Sequence, residues 1–181
     1  MGDGMEFLEL VKTRYSVRRY KPDPVPEEDV MSCLEAARLA PSASNSQPWE
    51  FIVIKTPELR KHIAESTYSR LISFNKFALQ APLIVAVIMK KGHILAQIGA
   101  SLQGTPYQLI DIGIAAEHFC LQAAERGLGT CMLGWFNEKK VRKLLEIPKS
   151  KKIALLITVG YPADSPKPKQ RKEMNAMVQK L

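Results

Sequence analysis

Four short segments hold most of the residues that could do chemistry: Arg14–Tyr20 (RYSVRRY), Pro41–Trp49 (PSASNSQPW), Gly127–Trp135 (GLGTCMLGW) and Pro166–Glu173 (PKPKQRKE). In an extended chain successive side chains alternate faces, so Arg14, Ser16 and Arg18 share one side while Tyr15, Val17 and Arg19 take the other. Two cations and a hydroxyl on one face suit an anion. A positive patch of this kind attracts nucleic acid, an anionic membrane surface or a phosphorylated small molecule, and charge alone does not choose among them. Each segment also has an ordinary structural reading. The first is then a solvated basic strand and the second a helix-to-strand connection with Trp49 plugging the core. The third becomes a helix cap followed by a buried strand, and the fourth a disordered basic end.

The net charge of +8 is not spread evenly. Residues 1–21 hold five Lys/Arg against three acids and residues 149–181 hold eight against two, whereas 22–148 balance. The excess therefore sits at the two ends, with the first and fourth segments. Cys33, Cys120 and Cys131 form no CxxC pair, and an odd count argues against a disulfide framework. His62, His93 and His118 are scattered singly, so no metal ligand set is visible. The sequence begins without a basic region followed by an apolar core, and its longest strongly apolar run, Pro82 to Met89, is too short to span a bilayer. A cytoplasmic location with no membrane partner is the expectation. No recognition helix or aromatic-rich sheet motif for nucleic acid appears.

At 181 residues the chain has the length of one domain, 1–181, with residues 165–181 as an extended arm because Pro162, Pro166 and Pro168 break regular structure. Hydrophobic residues at 46% and charged residues at 24% exclude disordered and low-complexity classes. Helices are expected from Met5 to Thr13, from Pro26 towards Pro41, from Pro57 to about Ser66, from Pro106 to Arg126, and from Asn137 to about Glu146. The longest has Leu109, Ile112, Ala116, Phe119 and Ala123 on one face and small residues elsewhere, so it is expected to be buried nearly all round. Strands are expected at 50–55, 83–89, 129–133 and 153–159, the second of them central because it is apolar throughout. The helices and strands alternate without strict β-α-β spacing, which reads as α+β with a mixed central sheet flanked by helices. Residues 90–105 have no clean period and are expected to cover a pocket.

In order, spacing and chain length the four segments resemble the FMN-dependent nitroreductase family. Its members carry R-x-S-x-R near the N-terminus, P-S-x-x-N-x-Q-P-W about 25 residues later, G-L-G-T after a long central helix, and a basic pair near the end. Arg14, Ser16 and Arg18 match the first, and Pro41, Ser42, Asn45, Gln47, Pro48 and Trp49 the second. Gly127 to Trp135 matches the third, and Lys169 with Arg171 the fourth. The resemblance covers essentially the whole chain.

It implies an NAD(P)H oxidoreductase that binds FMN at the interface of an intertwined homodimer. Hydride would pass from nicotinamide to the flavin N5 and on to a small acceptor such as a nitroaromatic, quinone or enone. Arg14, Lys169 and Arg171 become the phosphate clamp, since arginine donates paired hydrogen bonds to phosphate. Tyr15 and Ser16 would lie along the cofactor, and Arg18 at its N1/O2 edge. Pro41, Ser42, Asn45 and Gln47 would line the flavin bound mainly by the other subunit. Cys131, Met132, Leu133 and Gly134 would edge the ring system through their backbone, with Gly134 permitting close approach. Asn75 and Lys76 are further candidates for the pyrimidine edge. Many relatives have Gln-Asn where this chain has Glu117 and His118, and His118 reads as a satisfied structural histidine. No catalytic side chain is implied. An FMN storage or regulatory protein, or a reductive dehalogenase or flavin-cleaving enzyme of the same fold, is the alternative.

Overall fold

The computed structural model describes residues 6–90 and 104–180. In chain order it has α1 (Phe7–Thr13), α2 (Glu27–Arg38), β1 (Trp49–Ile54), α3 (Pro57–Glu65), β2 (Leu83–Met89), α4 (Tyr107–Glu125), β3 (Gly129–Leu133), α5 (Glu138–Leu144) and β4 (Lys152–Gly160). Short 3-10 turns lie at Ala43–Asn45, Lys76–Gln80 and Met174–Ala176. The strands form one sheet in the order β1-β2-β4-β3.

β2 is apolar throughout because it is covered on both faces. Leu83, Val85 and Val87 point to one side, where they meet Val30, Cys33 and Ala37 of α2 and Ile112, Ala116 and Phe119 of α4. Ile84, Ala86 and Ile88 point to the other, against Ile63 and Ala64 of α3 and Val141 of α5. The period of two thus splits one strand between two cores. α5 starts where Asn137 offers its side-chain oxygen to the Lys140 N–H at 3.0 Å, which satisfies one of the free donors of the first turn.

All four strands pair antiparallel. The expected α+β class stands, but among the described residues the mixed sheet reduces to one isolated parallel bridge, Ser16 with Thr130, beside β3. Strand direction follows from how the connections cross, and local sequence pattern does not encode that. The Ser16 bridge depends on Gly129. A Cβ there would sit 2.3 Å from Val17 Cγ2, so only glycine lets the 14–20 segment lie against β3. Tyr20 continues the contact through a bridge to Pro162.

Helix α4 is not buried all round. Asp111, Ile112, Ala115, Ala116, Phe119, Cys120 and Ala123 face the core, but Leu109 and Ile110 are 47% and 52% exposed. Leu109, expected on the buried face, belongs to the open one. Residues 165–180 are exposed throughout and hold the Met174–Ala176 turn.

Candidate functional site

α1 ends at Thr13, and the chain that follows is tied to β3 by the Val17 N–H, which donates to the Thr130 carbonyl at 3.0 Å. Val17 and Tyr20 turn inward and are buried, while Ser16, Arg18 and Arg19 are exposed. Inward residues three apart break the expected alternation, because Ser16 and Tyr20 bridge to different partners and the segment is no continuous strand. As a result Arg19 is not on a separate face. It lines a cavity of about 540 Å³ together with Tyr15, Ser16, Arg18, Asp164 and Lys167.

Arg14 is directed elsewhere. Its Nε lies 3.0 Å from Glu117 Oε1 on α4, with the two side chains 21% and 42% exposed. The Lys169 ammonium donates to the Arg14 carbonyl, which folds the C-terminal arm back onto the first segment. The Lys169 pKa is held below the usual lysine value by burial first, then by repulsion from Arg14 and Arg171, with Glu117 opposing. Arg14 and Lys169 thus lie close to the Glu117 carboxylate, with Arg171 close to Lys169. That imbalance favours an anion with more than one charge, and the expected clamp residues Arg14, Lys169 and Arg171 are brought together.

The arm is anchored a few residues earlier by Tyr15, whose hydroxyl donates to the Asp164 carbonyl at 2.8 Å and to its Oδ1 at 3.1 Å. Burial, reinforced by the Asp164 carboxylate, pushes the Tyr15 pKa up to about 12. Tyr15 is therefore a neutral tether for the arm.

The third segment meets the first at Cys131. Burial pushes the pKa of this thiol up, while Arg18, Ser16 and Arg14 act against that shift, which places all three near it. β3 is the edge strand of the sheet, so past the Ser16 bridge at Thr130 its outer backbone edge has no neighbouring strand among the described residues. An open edge presents N–H and C=O groups in a row, which suits the polar rim of a flat heterocycle. Leu133 is buried, Met132 half-buried and Gly134 exposed. A Cβ at Gly134 would point into open space, so a group can approach the main chain there. Asn75 is buried beside the end of this segment and its Nδ2 donates to the Trp135 carbonyl at 3.2 Å, while Lys76 is exposed.

The second segment lies apart from this cluster. It leads into β1, at the opposite edge of the sheet from β3, roughly 14 Å away across three strand spacings. Its conformation is held by Asp111, only 3% exposed, whose Oδ1 accepts from the Ala43 N–H at 3.0 Å and whose Oδ2 accepts from the Ser46 hydroxyl at 3.5 Å. The Gln47 N–H donates to Ser42 Oγ at 2.9 Å, and Gln47 Nε2 to Asn45 Oδ1 at 2.8 Å. Ser44, Asn45 and Gln47 all have positive φ, so these side-chain bonds hold an unusual backbone. Further along, the Pro48 carbonyl accepts from the Lys90 N–H at 2.8 Å, so the segment is held by α4 and by the end of β2.

Sequence reading missed Asp111 and the roles of Glu117 and Asp164. A lone acid on an otherwise apolar helix face was the available signal for Asp111. His118 bonds the Ala36 carbonyl of α2 through Nδ1 at 3.3 Å, as a structural histidine would. Of the 90–105 segment, residues 91–103 lie outside the described residues. Among the described residues no group of His, Cys, Asp or Glu could hold a metal, and no helix is long and apolar enough to cross a membrane.

A family model described as the nitroreductase family matches residues 11–161. A protein of Archaeoglobus fulgidus, provisionally named NADH dehydrogenase/NAD(P)H nitroreductase, is 32% identical over 165 residues, covering 88% of this chain and 87% of that protein. An iodotyrosine deiodinase of Thermotoga neapolitana is 28% identical over 181 residues, covering 89% of this chain and 90% of the relative. Among solved structures, an FMN-dependent nitroreductase from Clostridium difficile R20291 has a TM-score of 0.79 at 27% identity, covering 96% of this chain and 98% of that one.

Proposed function

The chain belongs to the nitroreductase family, and on that premise we propose that it is an FMN-dependent NAD(P)H oxidoreductase that reduces a small electron-poor acceptor. One observation supports this above the others: the Arg14, Lys169 and Arg171 cluster and the open edge of β3 converge on Ser16. The first suits the phosphate of FMN and the second the polar rim of its ring system, so the residues present fit the group. Bound flavin supplies the redox chemistry, taking hydride from the nicotinamide and giving it to a nitroaromatic, quinone or enone.

The protein's own residues bind, orient and shield. Arg14, Lys169 and Arg171 hold the phosphate, while Ser16 and Tyr15 fix the segment that runs beside it. Arg18 places a cation near the pyrimidine edge, with Asn75 as a further contact. The backbone of Cys131, Met132, Leu133 and Gly134 would edge the ring system when FMN is bound. The buried thiols, with their raised pKa values, take no part.

A homodimer completes the site. Within one chain, Pro41, Ser42, Asn45 and Gln47 sit at the far sheet edge from the cation cluster, and the open face of α4 with Leu109 and Ile110 is an apolar surface suited to a second copy. The loop of each subunit then lines the flavin of the other. The direct test is cofactor retention: protein purified after incubation with FMN should be yellow and dimeric. A colourless monomer that fails to retain FMN would overturn the reading.

The deiodinase relative favours a second reading, reductive dehalogenation of an aromatic substrate at the same site. Turnover of iodotyrosine by the reduced protein, with none of nitroaromatics or quinones, would establish it.

A further inference from the structure

A second basin of about 420 Å³ lies between the end of β2, α5 and the turn that leads into β4. It shares no residue with the Arg14 cluster. Five of its lining residues are cations, Lys90, Arg142, Lys149, Lys151 and Lys152, against the single carboxylate of Glu138. Two of the cations are already occupied. Arg142 donates to Glu138 Oε1 at 2.5 Å and to the carbonyls of Pro148 and Lys151, each at 2.7 Å. Lys151 is paired with Glu50 at 2.6 Å.

These bonds do two things. They neutralise Glu138, and they clamp the 148–151 turn to α5, so the lysines beside it are mounted on a fixed backbone. Lys90, Lys149 and Lys152 then face one concavity with no carboxylate partner among the described residues. Three like charges lining one basin favour a multivalent anion between them.

We propose that this basin binds an oligophosphate. The guanidinium of Arg142 is taken up by Glu138, so the free donors are ammonium groups, which serve phosphates as compact point charges. Its volume of about 420 Å³ is that of a small-molecule site. Ser150 and Gln108 add neutral polar groups to its wall. The phosphate could belong to the nicotinamide dinucleotide or to a free oligophosphate, and the test separates these sources.

The full chain, saturated with FMN, is titrated with inorganic pyrophosphate by calorimetry. Saturable binding is expected, weakening as salt rises. Lys149→Ala/Lys152→Ala should reduce the affinity roughly ten-fold or more. Lys61→Ala/Lys180→Ala removes the same charge elsewhere and should leave it nearly unchanged. Absence of saturable binding, or equal losses in both double variants, would overturn the proposal. Pyrophosphate that inhibits reduction with NADH and NADPH alike in the wild type, but not in Lys149→Ala/Lys152→Ala, identifies the diphosphate of the dinucleotide as the natural occupant; binding without inhibition identifies a free oligophosphate. Because the calorimetric arm needs no turnover, and can be repeated on the FMN-free chain, a failure of this proposal and a failure of the oxidoreductase reading are distinguishable.

Discussion

Replacing Arg14 by alanine should cost cofactor affinity while leaving the fold intact. The side chain is four-fifths buried and sits with Lys169 and Arg171, so its charged hydrogen bond to a phosphate is worth about 1.5–3 kcal/mol. That corresponds to a rise of roughly 10- to 150-fold in the FMN Kd. The structural cost is small, since the partner Glu117 is 42% exposed and can be hydrated once the pair is broken. Quenching of FMN fluorescence on titration gives the affinity, and a thermal melt of the FMN-free protein gives the stability. Arg19→Ala is the matched control. Arg19 is exposed on the neighbouring cavity, where solvent screens its charge, so it should change the Kd by no more than about five-fold. Equal losses in the two variants, or a melt that collapses with Arg14→Ala, would contradict a phosphate role for Arg14.

Gly129→Ala should destabilise by about 1–3 kcal/mol and weaken FMN retention, because its Cβ would overlap Val17 and push the 14–20 segment off β3; an unchanged urea midpoint would contradict this. Asp111→Ala leaves the Ala43 N–H without its buried acceptor and should cost about 1–3 kcal/mol, read by urea denaturation together with faster proteolysis of the 41–47 loop; unaltered stability and cleavage would argue against that anchor. The pKa of Tyr15 is raised in the folded state to about 12, so its contribution to stability is complete below the ordinary tyrosine value of 10 and is lost as pH rises towards 12. The difference in stability between wild type and Tyr15→Phe should therefore shrink over that window, and a difference that does not change with pH would count against the tether.

How much of this was legible in the sequence depends on whether the cause is local. β2 could be placed because a strand covered on both faces must be apolar throughout, and α5 because Asn137 is a local cap. The extended character of Arg14–Tyr20 was also visible, but not its broken period, since Val17 and Tyr20 both turn inward to meet partners far along the chain. For the same reason the all-antiparallel sheet could not be read: direction depends on which strands become neighbours. Glu117 beside Arg14 and Asp111 beneath the Pro41–Gln47 loop are pairings across the fold, and a single acid on a helix does not announce its partner. In α4 the apolar residues were evident, whereas which of them face the chain's own core was not. Leu109 is apolar yet exposed.

The central claim is that FMN held by this protein is a working intermediary between a nicotinamide and an acceptor. It is tested most directly by mixing the FMN-loaded protein with NADH or NADPH in an anaerobic stopped-flow instrument, following flavin bleaching, and then adding a nitroaromatic or quinone. Bleaching much faster than that of free FMN, followed by return of the oxidised spectrum in step with acceptor loss, is the expected result. Bound flavin that either nicotinamide reduces no faster than FMN in solution would contradict the claim and favour a storage or regulatory protein.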